Sequence, residues 1–183
     1  MKRHVVLVGL PGSGKSTVGA ALAESLGRPF VDLDQRIVAS QGLSVAGIWE
    51  ENGEPAFRRL EQAAMTEALQ GPDAVIAPGG GWAAIPGELS RARELAFIIY
   101  MRVTPETAAG RLGGSASAGG TRAAPDAARP MVGENPLKKL KELMKKREAL
   151  YLRSDAIIDN EGSVGEAVAL IRERMSLQHK ELP

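Results

Sequence analysis

The chain contains no cysteine. Disulfides and thiolate chemistry are thereby excluded, and the absence fits a reducing compartment. An excess of charge of either sign is also missing: 23 Lys+Arg against 22 Asp+Glu leave a formal charge of +1. No global basic field advertises nucleic acid or an anionic membrane, so neither is expected as a partner. No apolar run approaches the roughly 20 residues of a membrane span. The opening "MKRHVVLVGLPGSGK" is basic, but its apolar run is short and breaks at glycine and proline, unlike a secretory leader. The expected location is the cytoplasm and the expected state a monomer. Internal repeats are lacking as well. What is present is 183 residues, 44% hydrophobic and 25% charged, enough for one domain with a core of its own.

Apolar runs suited to buried parallel strands occur at His4–Val8, Phe30–Leu33, Ala74–Ala77, Ala96–Met101 and Ala156–Ile158. Helical spacing fills Lys15–Leu26, Ser44–Glu51, Glu54–Leu69, Pro86–Glu94, Pro105–Leu112, Pro136–Leu152 and Val164–Met175. Strands alternating with helices predict an α/β fold whose parallel sheet is covered on both faces. One segment breaks the pattern. Gly113–Ala128 holds six alanines, four glycines and two serines, with no large apolar side chain. It cannot offset its ordering entropy by burial and is expected to be a surface loop or a mobile lid.

Directly after the first strand run and before a helical pattern stands Gly9-Leu-Pro-Gly-Ser-Gly14-Lys15-Ser16. This G-x-x-x-x-G-K-[ST] pattern is expected about 0.01 times by chance in a chain of this composition. Its glycines let successive N–H groups, through Gly12, Ser13 and Gly14, curl around phosphate oxygens at the positive end of a helix. Lys15 would reach the β- and γ-phosphates, Ser16 would ligate magnesium, and Thr17 follows in the helix's first turn. A nucleotide site is the reading.

Asp32 and Asp34 follow the second strand run. If strand geometry persists, their spacing of two points both carboxylates the same way, outside the carboxyl end of the sheet. A phosphotransferase needs one carboxylate near its metal and another at the acceptor hydroxyl. The bland alternative is a helix cap at one aspartate and a solvated carboxylate at the other.

Two arginines stand out by helical phase. In "GEPAFRRLEQAAMTEAL" the apolar stripe runs through Phe57, Leu60, Ala64 and Ala68, which puts Glu61 inside it, Arg58 on its flank and Arg59 outward. A carboxylate in that stripe needs a partner, and Arg58 lies three residues earlier. The pair would hold the guanidinium fork rigid for an anion, or serve only as a structural ion pair. In "NPLKKLKELMKKREALY" the inward row reads Leu137, Leu140, Met144, Arg147 and Tyr151, so Arg147 takes a core-facing position that demands an anionic partner. The lysines off that row read as a solvated face. The glycines of "APGGGW", Gly79, Gly80 and Gly81, need a reason too: a positive-φ turn, or close approach to bare backbone.

Taken together and in this order, "GLPGSGKST", "DLD", "GEPAFRRLE", "PGGGW", Arg129-Pro130 and "KKREALY" resemble the shikimate kinase family over nearly the whole chain. The resemblance implies a P-loop fold with a five-stranded parallel sheet, flanking helices, a substrate-binding region near 33–61 and a lid near 112–131, all within one kinase domain spanning 1–183. It implies ATP and shikimate as ligands, Mg²⁺ as cofactor, and transfer of the ATP γ-phosphoryl group to the 3-hydroxyl of shikimate. Lys15, Asp34 and Arg129 would be catalytic. Shikimate would meet Asp34, Arg58, Glu61, the glycines 79–81 and Arg147, with the two arginines on its carboxylate. Trp49, otherwise readable as a core aromatic, would lie against its ring near Phe57. Asp32 would sit near magnesium with Ser16, Arg111 would stack on adenine, and Arg129 would close over the phosphates. The family commonly has a short connection where Ser115–Ala128 stand here, which makes Arg122 a second candidate for the lid arginine. Two other functions remain open: a kinase of the same fold for gluconate or a nucleoside monophosphate, and a non-catalytic nucleotide-binding regulator.

Overall fold

A computed structural model describes residues 3–114 and 135–180. Five strands, β1 (His4–Val8), β2 (Phe30–Asp32), β3 (Val75–Ala77), β4 (Ala96–Arg102) and β5 (Ala156–Asp159), form one sheet in the order β2-β3-β1-β4-β5. Every pairing is parallel, with Val5 of β1 opposite both Val75 and Phe97. The strands are apolar runs because both faces are covered. Val6, Val8, Ile98 and Tyr100 turn to one face, where they meet Phe57 and Met65 of α3 (Val45–Gln70) and Leu140 of α6 (Pro136–Tyr151). Val5, Leu7, Phe97 and Ile99 turn to the other, against Val18 and Leu22 of α1 (Lys15–Leu26) and Ile171 of α7 (Val164–Lys180). Side chains as fully buried as Ile76, Ile98 and Ile99 each contribute about 1.5–3 kcal/mol.

Besides shifts at other element ends, the longest being α7, which runs to Lys180 instead of Met175, three differences bear on the site. The second strand stops at Asp32, and Leu33–Gln41 forms a helix, α2, that was not anticipated. The Asp32 side chain accepts the Gln35 N–H at 3.3 Å and caps it, while Gly42 closes it at φ 67°. Only Leu33 and Ile37 of α2 are buried, too few to write a helical stripe into the sequence. The two helices expected between Ser44 and Leu69 run together as α3, broken at Gly53 (φ 76°, ψ 167°) two residues before Pro55. The helix after β4, α5 (Pro105–Gly114), continues two residues past its expected end, so Gly113 and Gly114 are helical. The rest of the glycine- and alanine-rich segment, with Arg122 and Arg129, lies outside the described residues. A shorter helix, α4 (Glu88–Leu95), leads into β4.

Candidate active site

The phosphate-type loop leaves the central strand β1 and enters α1. Gly9, Gly12 and Gly14 have φ of 149°, 78° and 85°, backbone that side chains rarely adopt. A Cβ on Gly12 would also lie 2.5 Å from the Ala108 carbonyl oxygen, because α5 packs directly on the loop. Lys15 is buried, and its Nζ donates to the Gly9 and Leu10 carbonyls at 3.1 and 2.9 Å and to Ser13 Oγ at 3.4 Å. The loop is thus curled around its own lysine. No side chain caps α1 at Gly14, so the first N–H groups of the helix are left to an anion. Ser16 and Thr17 are exposed in the first turn.

Ser16 Oγ donates to Asp32 Oδ2 at 2.6 Å, which ties the loop to the end of β2. Asp32 therefore both caps α2 and faces Ser16. Asp34 does not sit on the strand: it lies in the first turn of α2. The alternation argument for a shared direction fails, since the chain turns helical between the two aspartates. Both still stand at the carboxyl edge of the sheet, where open parallel sheets gather ligands.

Asp34 lines a cavity that opens beside the phosphate loop, with Pro11 of that loop in its wall. Every other side chain singled out for an acceptor, Trp49, Phe57, Arg58, Glu61 and Arg147, lines the same cavity, as do Gly79, Gly80 and Gly81. Glu61 is fully buried in the α3 stripe, and Arg59 is exposed. Arg58 pairs with Glu61 through Nη1 and with Glu54 through Nη2 at 2.8 Å and Nε at 3.2 Å. Its guanidinium carbon is 5.7 Å from the centre of the Trp49 ring and 5.8 Å from that of Phe57. Burial opposes the charge on Arg58, but Glu61 and Glu54 outweigh it and hold the guanidinium pKa above its ordinary value. The fork is fixed and permanently charged.

None of the three glycines has positive φ, so the reason for them is close approach. Much of the crowding comes from the protein's own side chains. A Cβ on Gly79 would lie 2.5 Å from Glu61 Oε1 and 2.8 Å from Asp34 Oδ1. One on Gly81 would lie 2.5 Å from Arg58 Nη1. The glycines let charged groups crowd against bare backbone at one wall of the cavity.

The model of the family described as "Shikimate kinase" matches residues 11–176. A shikimate kinase of Persephonella marina is 37% identical over 160 residues, 87% of this chain and 90% of that protein. The chain belongs to the shikimate kinase family. A shikimate kinase from Acinetobacter baumannii, solved in complex with shikimate, superposes with a TM-score of 0.84 at 30% identity, covering 100% of this chain and 97% of that one. A gluconokinase from Sinorhizobium meliloti reaches only 0.55 at 20% identity over 98% of each chain, which is a likeness of fold alone.

Against that shikimate kinase background, four residues about the site escaped the sequence. Glu54 is the second carboxylate on Arg58 and follows the Gly53 break, where helical phase cannot be carried across. Tyr151 looked like the last apolar member of a row, yet its hydroxyl donates to the Gly80 carbonyl at 2.7 Å. Asn160, buried just after β5, donates from Nδ2 to the Ser13 carbonyl at 2.8 Å, and its own carbonyl accepts from Arg111 Nη2 at 2.7 Å. Arg111 is thereby held beside the loop, its Nη1 3.7 Å from where a Gly14 Cβ would be. Glu161 accepts the Thr107 hydroxyl at 2.5 Å and the Thr104 N–H at 2.7 Å, and these bonds hold its carboxyl pKa below the usual range. No short motif announces either Asn160 or Glu161.

Proposed function

We propose that the chain transfers the γ-phosphoryl group of ATP to the 3-hydroxyl of shikimate, giving ADP and shikimate 3-phosphate. One observation carries the acceptor: two arginines, one with its fork fixed by two carboxylates, face a single small cavity that also holds Asp34 and is walled by Pro11 of the phosphate loop. A compact polyol carboxylate such as shikimate suits that charge pattern. Arg58 and Arg147 bind its carboxylate. Asp34 orients the attacking hydroxyl and accepts its proton. Trp49 and Phe57 press on its ring, and the glycines 79–81 let it lie on backbone.

On the nucleotide side, Gly12, Ser13, Gly14, Lys15, Ser16 and Thr17 cradle the phosphates, and Arg111 stacks on adenine. Lys15 exchanges its two loop carbonyls for phosphate oxygens, so a buried cation is in place before the nucleotide enters. The donor set near Ser16 fits magnesium. Mg²⁺ takes few protein ligands and keeps waters and phosphate oxygens, and no group of three or more His, Asp or Glu residues with metal-ligand geometry occurs among the described residues. Ser16 and Asp32, 2.6 Å apart, would hold it, Asp32 through water. When bound, the ion offsets charge on the β- and γ-phosphates. Transfer then rests on positioning and charge neutralisation. Arg129 closes over the phosphates as part of a lid near 112–131, with Arg122 as its rival. We further infer a single kinase domain acting as a cytoplasmic monomer, with no nucleic acid or membrane partner.

The acceptor assignment is tested with shikimic acid methyl ester. Neutralising the carboxylate removes the anion that both arginines meet, so the ester is expected to be a poor substrate. Arg58→Lys keeps the charge but loses the fork, and its KM for shikimate is expected to rise clearly while its use of the ester barely changes. An ester used as well as shikimate would overturn the carboxylate reading.

A further inference from the structure

Tyr151 is fully buried, its ring 5.1 Å from that of Tyr100 between centroids. Its hydroxyl donates to the Gly80 carbonyl at 2.7 Å, and Arg147 Nη1 donates to the same oxygen at 3.0 Å. The two residues are four apart on α6, so one helix face delivers both donors to one acceptor. A carbonyl oxygen has two lone pairs, and both have a donor here. Gly80 is also where the cavity wall meets the phosphate loop: a Cβ on it would lie 3.0 Å from Pro11 Cδ and 3.3 Å from the Gly9 carbonyl oxygen. Because the peptide is planar and trans, fixing the Gly80 carbonyl also fixes the Gly81 N–H on the opposite side of that peptide.

We propose that Tyr151 is a positioning residue for the acceptor. Its hydroxyl anchors the Gly80 carbonyl, and that shared carbonyl holds the half-buried Arg147 in the orientation in which its fork meets the acceptor carboxylate. The proposal rests on the acceptor reading above. A buried tyrosine hydroxyl needs a partner in any protein, and a carbonyl of the sheet or of α6 would satisfy it without consequence for the site. This hydroxyl instead reaches across to the cavity wall and shares its acceptor with a residue lining the cavity. Without it the Gly80 carbonyl loses one of its two side-chain donors, and Arg147, bound to the same oxygen, loses the fixed acceptor that orients it.

Tyr151→Phe keeps the ring against Tyr100 and removes only the hydroxyl. Loss of one such bond is expected to raise KM for shikimate about five- to tenfold. The KM for ATP and kcat are expected to stay within about twofold. Tyr100→Phe removes a neighbouring hydroxyl that donates to Met144 Sδ at 3.5 Å and is expected to leave both KM values unchanged. Tyr151→Phe combined with Arg147→Lys is expected to cost less than the product of the single effects, since both act through one carbonyl. Thermal unfolding is followed for every variant. A Tyr151→Phe enzyme with a lower unfolding temperature and an unchanged shikimate KM would overturn the proposal, and so would equal rises in both KM values. A variant that does not fold would overturn it too, by making the bond a requirement of the fold and not of the acceptor. A wild-type enzyme that ignores shikimate would instead overturn the acceptor reading itself.

Discussion

Gly81→Ala puts the smallest possible side chain against the best-fixed group of the cavity. The new Cβ would lie 2.5 Å from Arg58 Nη1 and 2.6 Å from Cζ. Ordinary contact needs about 3.5 Å, so the guanidinium must retreat by about 1 Å. A free arginine would swing aside at little cost. This one is tied to Glu54 and Glu61 and flanked by Trp49 and Phe57, so retreat breaks charged hydrogen bonds or displaces rings. A 1 Å misplacement of a positioning group costs on the order of 100-fold in rate, or about 2.7 kcal/mol of transition-state stabilisation. The expected result is therefore a kcat/KM for shikimate lower by about 100-fold, carried largely by KM, with KM for ATP within about twofold. Overpacking should also lower stability by about 1–3 kcal/mol. The assay is coupled ADP release with each substrate varied in turn, beside thermal unfolding. Gly110→Ala is the matched control, since a Cβ at that exposed helical position meets nothing within 4 Å and should stabilise by about 0.5–1 kcal/mol. A Gly81→Ala enzyme within threefold of wild type for shikimate would refute the claim that Arg58 is immovable and essential.

Three further outcomes are expected. Lys15→Ala should lose more than about 100-fold in turnover and also bind ATP less well, because Lys15 both neutralises charge and ties the Gly9 and Leu10 carbonyls; turnover within threefold of wild type would remove Lys15 from the reaction. Asp34→Asn should cut turnover far more than ATP affinity, as titration calorimetry with ATP would show, and a collapse of ATP affinity instead would move Asp34 to the nucleotide site. His4 is buried and accepts the Ala74 N–H at Nδ1, and burial lowers its pKa below 6.5, so the unfolded chain takes up its proton first as pH falls. Its contribution to stability is complete above pH 6.5 and is lost as pH drops from there toward its folded pKa, a slope that His4→Gln should lack in unfolding experiments and that identical slopes would disprove.

The extent to which the site could be read from sequence follows from how each residue announces itself. The phosphate loop is a contiguous pattern whose glycines are required by φ values no other residue tolerates easily, so it is legible without a fold. Glu61 and Arg58 are legible because a charge inside an apolar stripe is an anomaly, and their pairing is the physical answer to it. Arg147 was marked in the same way. Tyr151 was not, because a tyrosine ending an apolar row is no anomaly; only its hydroxyl's partner, 71 residues away, shows what it does. Asn160 reaches 147 residues back to Ser13, beyond any local pattern. Helix α2 was missed because only Leu33 and Ile37 of it are buried, although a helix cap at one of the two aspartates stood as an alternative and Asp32 is that cap. One side chain served two readings, and the structure has it in contact with Ser16 while capping the helix. The parallel sheet, by contrast, was legible from apolar runs alternating with helical stretches, since central strands such as β1 and β3, buried on both faces, have no polar side to blur them.

Phosphoryl transfer to shikimate is tested by ADP release from ATP and Mg²⁺ with shikimate, quinate, gluconate and a nucleoside monophosphate as acceptors, followed by phosphorus NMR of the product. Release is expected to depend on shikimate and to leave a phosphomonoester on its 3-hydroxyl, with gluconate and the nucleoside monophosphate near background. Equal or faster release with either of those two, or none with any acceptor, would contradict this reading.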